Sequence, residues 1–397
     1  MIEKEKLRLG DVCDINANAY SIKEDWEFVN YLDTGNITDN VIDSIQHIEL
    51  KNEKLPSRAR RKVKRNSIIY STVRPNQRHF GIIKEQPDNF LVSTGFAVLD
   101  VDTKFLNADF LYYMLTQPSI VEKLHIIAEQ STSAYPAIKA SDLESLELEI
   151  PDVYIQKKVA NILGSLDAKI SSNSKINKNL EQQAQSYFQE LFIDDANLER
   201  TTGTISDLGT VVGGSTPSKA KSEYYAESAI AWITPKDLAI NKSKFVSHGE
   251  NDITELGLKN SSAVIMPEGT VLFSSRAPIG YIAIATGEVT TNQGFKSVVP
   301  KPKIGTPFVY FFLKNALPII EGMASGSTFK EVSGSTMKNV PAVIPDIETL
   351  ARFNDFCTPI FAQQRILEEQ NQSLATLRDN LLPKLMYGEF DISALDI

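Results

Sequence analysis

Cysteine and histidine are scarce in this chain, with 2 and 4 residues among 397. Cys13 and Cys357 lie far apart, and His47, His79, His125 and His248 form no cluster at ligand spacing, so neither a disulfide framework nor a zinc site is indicated. There is no run of about 18 apolar residues, and Met1-Ile-Glu-Lys-Glu-Lys6 has no apolar segment behind its charges. The expectation is a protein of the reducing cytoplasm, neither secreted nor membrane-spanning. Catalytic signatures are missing too. Gly213-Gly-Ser-Thr-Pro-Ser-Lys219 lacks the second glycine that a phosphate-cradling loop places before its lysine. Without a Pro-Pro pair there is no Asp-Pro-Pro-Tyr-like grip for a flipped adenine, and no zinc-deaminase or Gly-x-Ser-x-Gly pattern occurs. The chain is expected to catalyse nothing and to hold no metal or cofactor.

What the chain does have is a duplication. Val159, Leu163, Leu166, Ile170, Asn173, Asn177, Leu180, Ala184, Tyr187 and Leu191 step by 4 and 3, and the same steps recur 194 residues later at Phe353, Cys357, Ile360, Gln364, Leu367, Asn371, Leu374, Arg378, Leu381 and Leu385. A heptad seam on each of two helices calls for a partner helix, and the other copy is the nearest one. Asn173, Asn177, Gln364 and Asn371 fall at seam positions, where polar groups cost stability and set register. From Val159 to Leu191 is 33 residues, hence roughly 50 Å of helix, longer than one turn of DNA at ~34 Å. Asp152 and Asp346 each follow a proline and are placed to cap the helix starts, while Pro383 should tighten the last turns of the second helix before Gly388.

The repeat extends upstream of the helices. Ser67-Ile-Ile-Tyr-Ser71 and Thr270-Val-Leu-Phe-Ser274 read as matching strands, followed by turns carrying Arg74-Pro75 and Arg276-Ala277-Pro278. Thr94 to Val98 matches Gln293 to Ser297, and Phe110 to Leu115 matches Phe308 to Leu313 as a buried helix face. The expected organisation is α+β: a first head over 1–151, a first long helix over 152–193, a second head over 200–345 and a second long helix over 346–388. Each head should hold a twisted, mainly antiparallel sheet with short flanking helices. The two long helices should form an antiparallel coiled coil crossing near Asn177 and Asn371, with its interface at Val159, Leu163, Leu166, Ile170, Asn177, Leu180, Phe353, Ile360, Leu367, Asn371, Leu374 and Leu381.

A net charge of −9 conceals a segregation. The two helical stretches are acidic by seven, whereas residues 200–345 are basic by three. Lys51 to Arg65 carries Lys51, Lys54, Arg58, Arg60, Arg61, Lys62, Lys64 and Arg65 against Glu53 alone, which is the footprint of phosphate contact or else a solvated surface loop. One near-miss points elsewhere. Pro151-Asp152 with Asp167-Ala168-Lys169 fits the sparse pattern of metal-dependent nucleases, but that chemistry needs carboxylates converging on a cation, and the second copy keeps only its Asp346.

Three strings in the right order resemble type I restriction-modification specificity subunits. Gln156-Lys-Lys-Val-Ala-Asn-Ile-Leu-Gly-Ser-Leu-Asp167 is similar to the family's helix start, Gly213-Gly-Ser-Thr-Pro-Ser218 to the opening of its second recognition domain, and Leu381-Leu-Pro-Lys-Leu-Met-Tyr-Gly-Glu389 to its chain end. The second helix departs from the pattern at Leu350-Ala-Arg-Phe-Asn354. The resemblance implies two target recognition domains separated by a helix pair, each reading one half of a bipartite site in double-stranded DNA. It implies two adenine methyltransferase subunits and two ATP-driven restriction subunits as partners, which would carry S-adenosylmethionine, ATP and Mg²⁺. DNA contacts are then expected at Arg58, Arg60, Arg61, Lys62, Lys64, Arg65, Arg74 and Arg78 in the first head, and at Lys219, Lys221, Lys236, Arg276 and Lys296 in the second. For Arg74 and Arg276 the competing reading is an ion pair with a carboxylate. Two other functions remain open: a free-standing DNA-binding or scaffold protein, and a self-contained metal-dependent nuclease.

Overall fold

The computed structural model describes residues 4–21, 23–131, 135–194, 201–326, 330–390 and 392. The connector beyond Asp194 and the expected start of the second head at residue 200 lie outside the described residues. The chain divides into two compact units, Met1–Lys169 with Ser373–Ile397, and Ile170–Gln372, a division that falls inside both long helices.

In the first unit Glu5–Arg8 pairs antiparallel with Glu147–Ile150. Instead of the one sheet expected, two four-stranded sheets follow. One orders Gln46–Glu49, Phe28–Leu32, Phe90–Ser93 and Ala59–Lys62, with a parallel pair at its centre; the other orders Cys13–Ile15, Phe96–Val101, Ile68–Ser71 and Phe80–Ile82, antiparallel throughout. The second sheet is buried on both faces, which explains its unbroken apolar strands. Ile68 and Tyr70 face one core with helix Ala108–Leu115, while Ile69 faces another with Phe90 and Val92. Asn107 caps that helix, its side chain accepting from the Phe110 N–H at 3.0 Å.

The second unit repeats the plan with changes. Thr201–Thr204 pairs with Pro341–Ile344, and a five-stranded sheet orders Gly209–Gly213, Lys296–Pro300, Val271–Ser275, Ile279–Ala285 and Phe245–Val246, only the last pair being parallel. Helix Thr306–Met323 covers it, and Phe188, Phe308, Phe311 and Phe353 meet in its core.

Backbone hydrogen bonds show how deep the duplication runs. Leu9 N–H donates to the Leu146 carbonyl and Ile205 N–H to that of Val340; Thr72 N–H donates to the Gly95 carbonyl and Ser275 N–H to that of Gly294; Ile138 N–H donates to the Thr72 carbonyl and Val332 N–H to that of Ser275. Thr72 and Ser275 are therefore equivalent.

The long helices span Val153–Gln189, continued by a π turn over Glu190–Asp194, and Ile347–Tyr387. Asp152 accepts from the N–H groups of Tyr154 and Ile155 (2.8 and 3.0 Å), and Asp346 from that of Thr349 (2.8 Å), so both are caps. The second helix continues through Pro383 and ends at Gly388, whose φ of 72° suits glycine.

Pairing is antiparallel inside each unit. In the first, Arg378 bonds Asp167 at 2.7 Å, and Leu382, Leu385 and Met386 share a core with Val159 and Leu163. In the second, Asn371 bonds Ser174 (3.2 Å), Asn173 bonds Gln370 (3.4 Å), Asn177 and Gln364 exchange side chain to backbone bonds (3.4 and 3.1 Å), and Tyr187 stacks on Phe353. Val159, Leu163, Phe353 and Leu367 are buried, and Leu166, Ile170, Asn177, Leu180, Ile360, Asn371, Leu374 and Leu381 are half-buried. Asn173 and Gln364 are buried amides with cross-helix partners, as register-setting residues require. The crossing is corrected by about one turn: Asn371 meets Ser174 and Asn177 meets Gln364, so the point at which a residue faces its own copy falls near Ser174 and Glu368 and not at Asn177 and Asn371. Oxidation of an S174C/N371C double variant should therefore give a fast intramolecular disulfide on a non-reducing gel, with N177C/N371C slower. The native Cys13 and Cys357 should not interfere, since burial pushes both thiols up to about 12.

Candidate nucleic-acid interface

The first-head cluster is part strand and part loop: Arg60, Arg61 and Lys62 lie on a strand, and Lys51, Lys54, Arg58, Lys64 and Arg65 lie in the turns and loops on either side of it. Ala59–Lys62 is a strand at the edge of its sheet, with Val92 opposite Arg61 and Leu91 opposite Lys62. Its outer side is partly covered: Tyr20 N–H donates to the Arg60 carbonyl, and Lys62 N–H to that of Asn18. Strand alternation sends Arg60 and Lys62 to one face and Arg61 to the other, so the basic residues divide between two faces. Arg58 and Arg65 are exposed and Arg60 is half-buried, none of them in an ion pair within 4.0 Å among the described residues. Lys62 is engaged by Glu24 and lies over the Trp26 ring at 5.2 Å, and Lys64 lies 3.5 Å from Asp100. Arg61 buries its Nε without a partner, and that burial draws its pKa down.

The turn after Ile68–Ser71 is a single 3₁₀ turn, Pro75–Gln77, flanked by Arg74 and Arg78 at φ of 48° and 57°. Arg74 is exposed with its guanidinium over Tyr135 at 5.2 Å. Arg78 bonds Asp39 at 2.6 Å and borders a cavity of about 330 Å³ with Tyr112, Tyr113, Asp167 and Arg378. Asp167 accepts from Tyr113 Oη at 2.6 Å and from Arg378. It and Asp152 sit fifteen residues apart on one helix, about 22 Å along its axis, each committed to a structural partner. The carboxylate convergence that a nuclease needs does not occur between them. Among the described residues no group of three or more His, Cys, Asp or Glu side chains is placed to hold a metal ion.

In the second head Lys219 is exposed. Lys221 lies 4.0 Å from Glu223, and Lys236 bonds Glu250 at 2.6 Å. Arg276 and Lys296 share Glu331 at 3.4 and 3.8 Å, so for Arg276 the carboxylate reading is the one observed. Its expected equivalence with Arg74 is also corrected. With Thr72 matched to Ser275, Arg74 corresponds to Ala277, which has the same positive φ (51°), and Arg276 corresponds to Val73. The second turn has a residue between its arginine and proline, so aligning the arginines slips the backbone by one. The Gly-Gly turn is tied down: Ser215 N–H donates to the Thr291 carbonyl, Trp232 Nε1 to that of Ser215 (3.0 Å) and Tyr225 Oη to that of Pro217 (2.6 Å). A Cβ on Gly214 would meet the Asn292 carbonyl oxygen at 2.1 Å, which explains the second glycine.

These features define a class: a chain that carries one α+β domain twice, each copy with cationic side chains on strand edges and turns and each followed by a long helix. The family model for the type I restriction modification DNA specificity domain matches twice, over residues 1–182 and 198–378, and the chain belongs to this family. It is 25% identical over 437 aligned residues to the type I restriction enzyme HindI specificity subunit of Haemophilus influenzae, covering 91% of this chain and 94% of that one. It is 42% identical over 174 residues to the MjaIX specificity subunit of Methanocaldococcus jannaschii, covering 42% and 40%. Its fold resembles that of the type I restriction-modification S subunit from M. genitalium (TM-score 0.59, 18% identity, 97% and 96% coverage).

Proposed function

We propose that this chain is the non-catalytic DNA specificity subunit of a type I restriction-modification complex. Each recognition domain reads one half of a bipartite target, and the helix pair sets the gap and docks two adenine methyltransferase subunits. Two restriction subunits complete the assembly. S-adenosylmethionine, ATP and Mg²⁺ serve those partners. The observation that carries the reading is the double match of the DNA specificity domain along a chain whose two long helices pair. Arg58, Arg60, Arg65 and Arg74 are the favoured phosphate contacts of the first head and Lys219 of the second, since a cation already neutralised by a neighbouring carboxylate releases fewer DNA counterions.

Mapping N6-methyladenine in cells that carry the chain with its methyltransferase should return a split motif with one fixed gap. Unsplit or absent methylation would overturn the proposal. Recovery of the chain without methyltransferase would favour a free-standing DNA binder, and metal-dependent cleavage by the isolated chain would favour a nuclease.

A further inference from the structure

Lys244 is the residue that sequence reasoning had no means of finding. It lies immediately before Phe245–Val246, the edge strand of the five-stranded sheet, and its side chain is 7% exposed. Its ammonium donates to Glu181 Oε2 and to Gln364 Oε1, both at 2.8 Å, and these acceptors stand on different long helices. Aromatic faces enclose it: Phe361 at 3.3 Å, Tyr310 at 4.4 Å and Phe311 at 5.4 Å from the ring centres.

The acceptors are themselves held. Glu181 also receives Tyr310 Oη (3.1 Å) and Lys314 Nζ (2.6 Å), and Gln364 donates to the Asn177 carbonyl (3.1 Å). Burial alone would raise the Glu181 carboxyl, but the two ammonium groups outweigh it and hold the group at about 2. Glu368 accepts from the backbone N–H groups of Lys244 and Phe245 (3.2 and 3.1 Å). A single head residue is thus hydrogen-bonded, through side chain and backbone, to both helices.

This connection is private to the second copy. Positions equivalent to Glu181 and Gln364 hold Ala375 and Ile170. In the first unit the helix residues are instead Asp167 and Arg378, facing Tyr113. A buried ion pair is not a strong source of stability compared with an apolar side chain of similar size. An apolar chain in the aromatic box would fit several orientations of the head, whereas an ammonium aimed at acceptors on two helices fits one.

We propose that Lys244 is a positioning residue that fixes the second recognition domain on the helix pair, and so determines how many base pairs separate the half-sites the protein accepts. The inference rests on the specificity-subunit reading. A step of one base pair moves a half-site by only about 3.4 Å and about a tenth of a turn, so a small change in the seating of the head alters the gap.

The test uses the full chain with its methyltransferase on plasmid libraries whose half-sites are one base pair closer, at the native gap, or one farther, read by N6-methyladenine sequencing. For K244M the preference for the native gap should fall by about tenfold, equivalent to about 1.4 kcal/mol of discrimination, with half-site sequences unchanged. E181Q, which keeps an acceptor but loses the charge, should fall less. L272A, which truncates a fully buried side chain in a core of the second head that contains no long-helix residue, serves as a control for a purely structural lesion and should lower methylation at all gaps alike. A folded K244M variant with the wild-type gap preference overturns the proposal. If K244M does not fold, an unchanged preference in E181Q does so. If the wild type shows no fixed gap, the specificity reading itself fails, and the role of Lys244 fails with it.

Discussion

Replacing Arg58, Arg60 and Arg65 together by alanine should weaken binding of the assembled complex to its target by about 10- to 100-fold near physiological salt, and should make the plot of log affinity against log salt shallower by about 2 to 3 units. The physical basis is counterion release: each phosphate neutralised by a protein cation frees condensed ions, and the slope counts those contacts. None of these three arginines is within ion-pair distance of a carboxylate among the described residues, so each is free to neutralise a phosphate. Arg78 is the matched comparison, since Asp39 already neutralises it at 2.6 Å. R78A should therefore change the slope by less than one unit. Fluorescence titrations of a labelled duplex between about 50 and about 200 mM salt would read both. A triple variant with the wild-type slope would remove the Ala59–Lys62 edge from the interface.

Phe188→Ala should be among the most damaging single truncations in the second unit. Phe188 is 1% exposed, and its ring lies 5.2 to 5.8 Å from those of Phe192, Phe308, Phe311 and Phe353. Deleting a buried aromatic ring leaves a cavity and costs about 3 to 5 kcal/mol, equivalent to a fall in melting temperature of about 10 °C for a unit of this size. Tyr187, its half-buried neighbour, should cost far less when truncated. Differential scanning calorimetry of F188A and Y187A separates the two, and equal losses would show that the aromatic cluster is not the centre of this core.

The same pair of residues shows where local pattern stops being enough. The 4 and 3 stepping places Tyr187 and Leu191 on the seam, and Tyr187 does stack on Phe353. Near its end, however, the helix also covers the head, so the buried face widens to include Phe188 and Phe192. The paired arginines show a different failure. Arg74 and Arg276 match in chemistry, but backbone hydrogen bonds align Arg74 with Ala277. Lys62, Lys236 and Lys296 read as free cations in sequence because their partners Glu24, Glu250 and Glu331 are 14 to 38 residues away.

The sequence by itself determined the duplication, the α+β composition, the capped starts of both long helices and their seam. Those properties follow from the repeat of a heptad and from capping, which depend on residues within a few turns of one another. Only the tertiary structure decided the antiparallel register to within a turn, which arginines remain unpaired and what surrounds Lys244. Each of these depends on contacts between distant segments whose loops differ in length between the two copies, and a side chain's electrostatic partner is set by that folding, not by its neighbours in the chain.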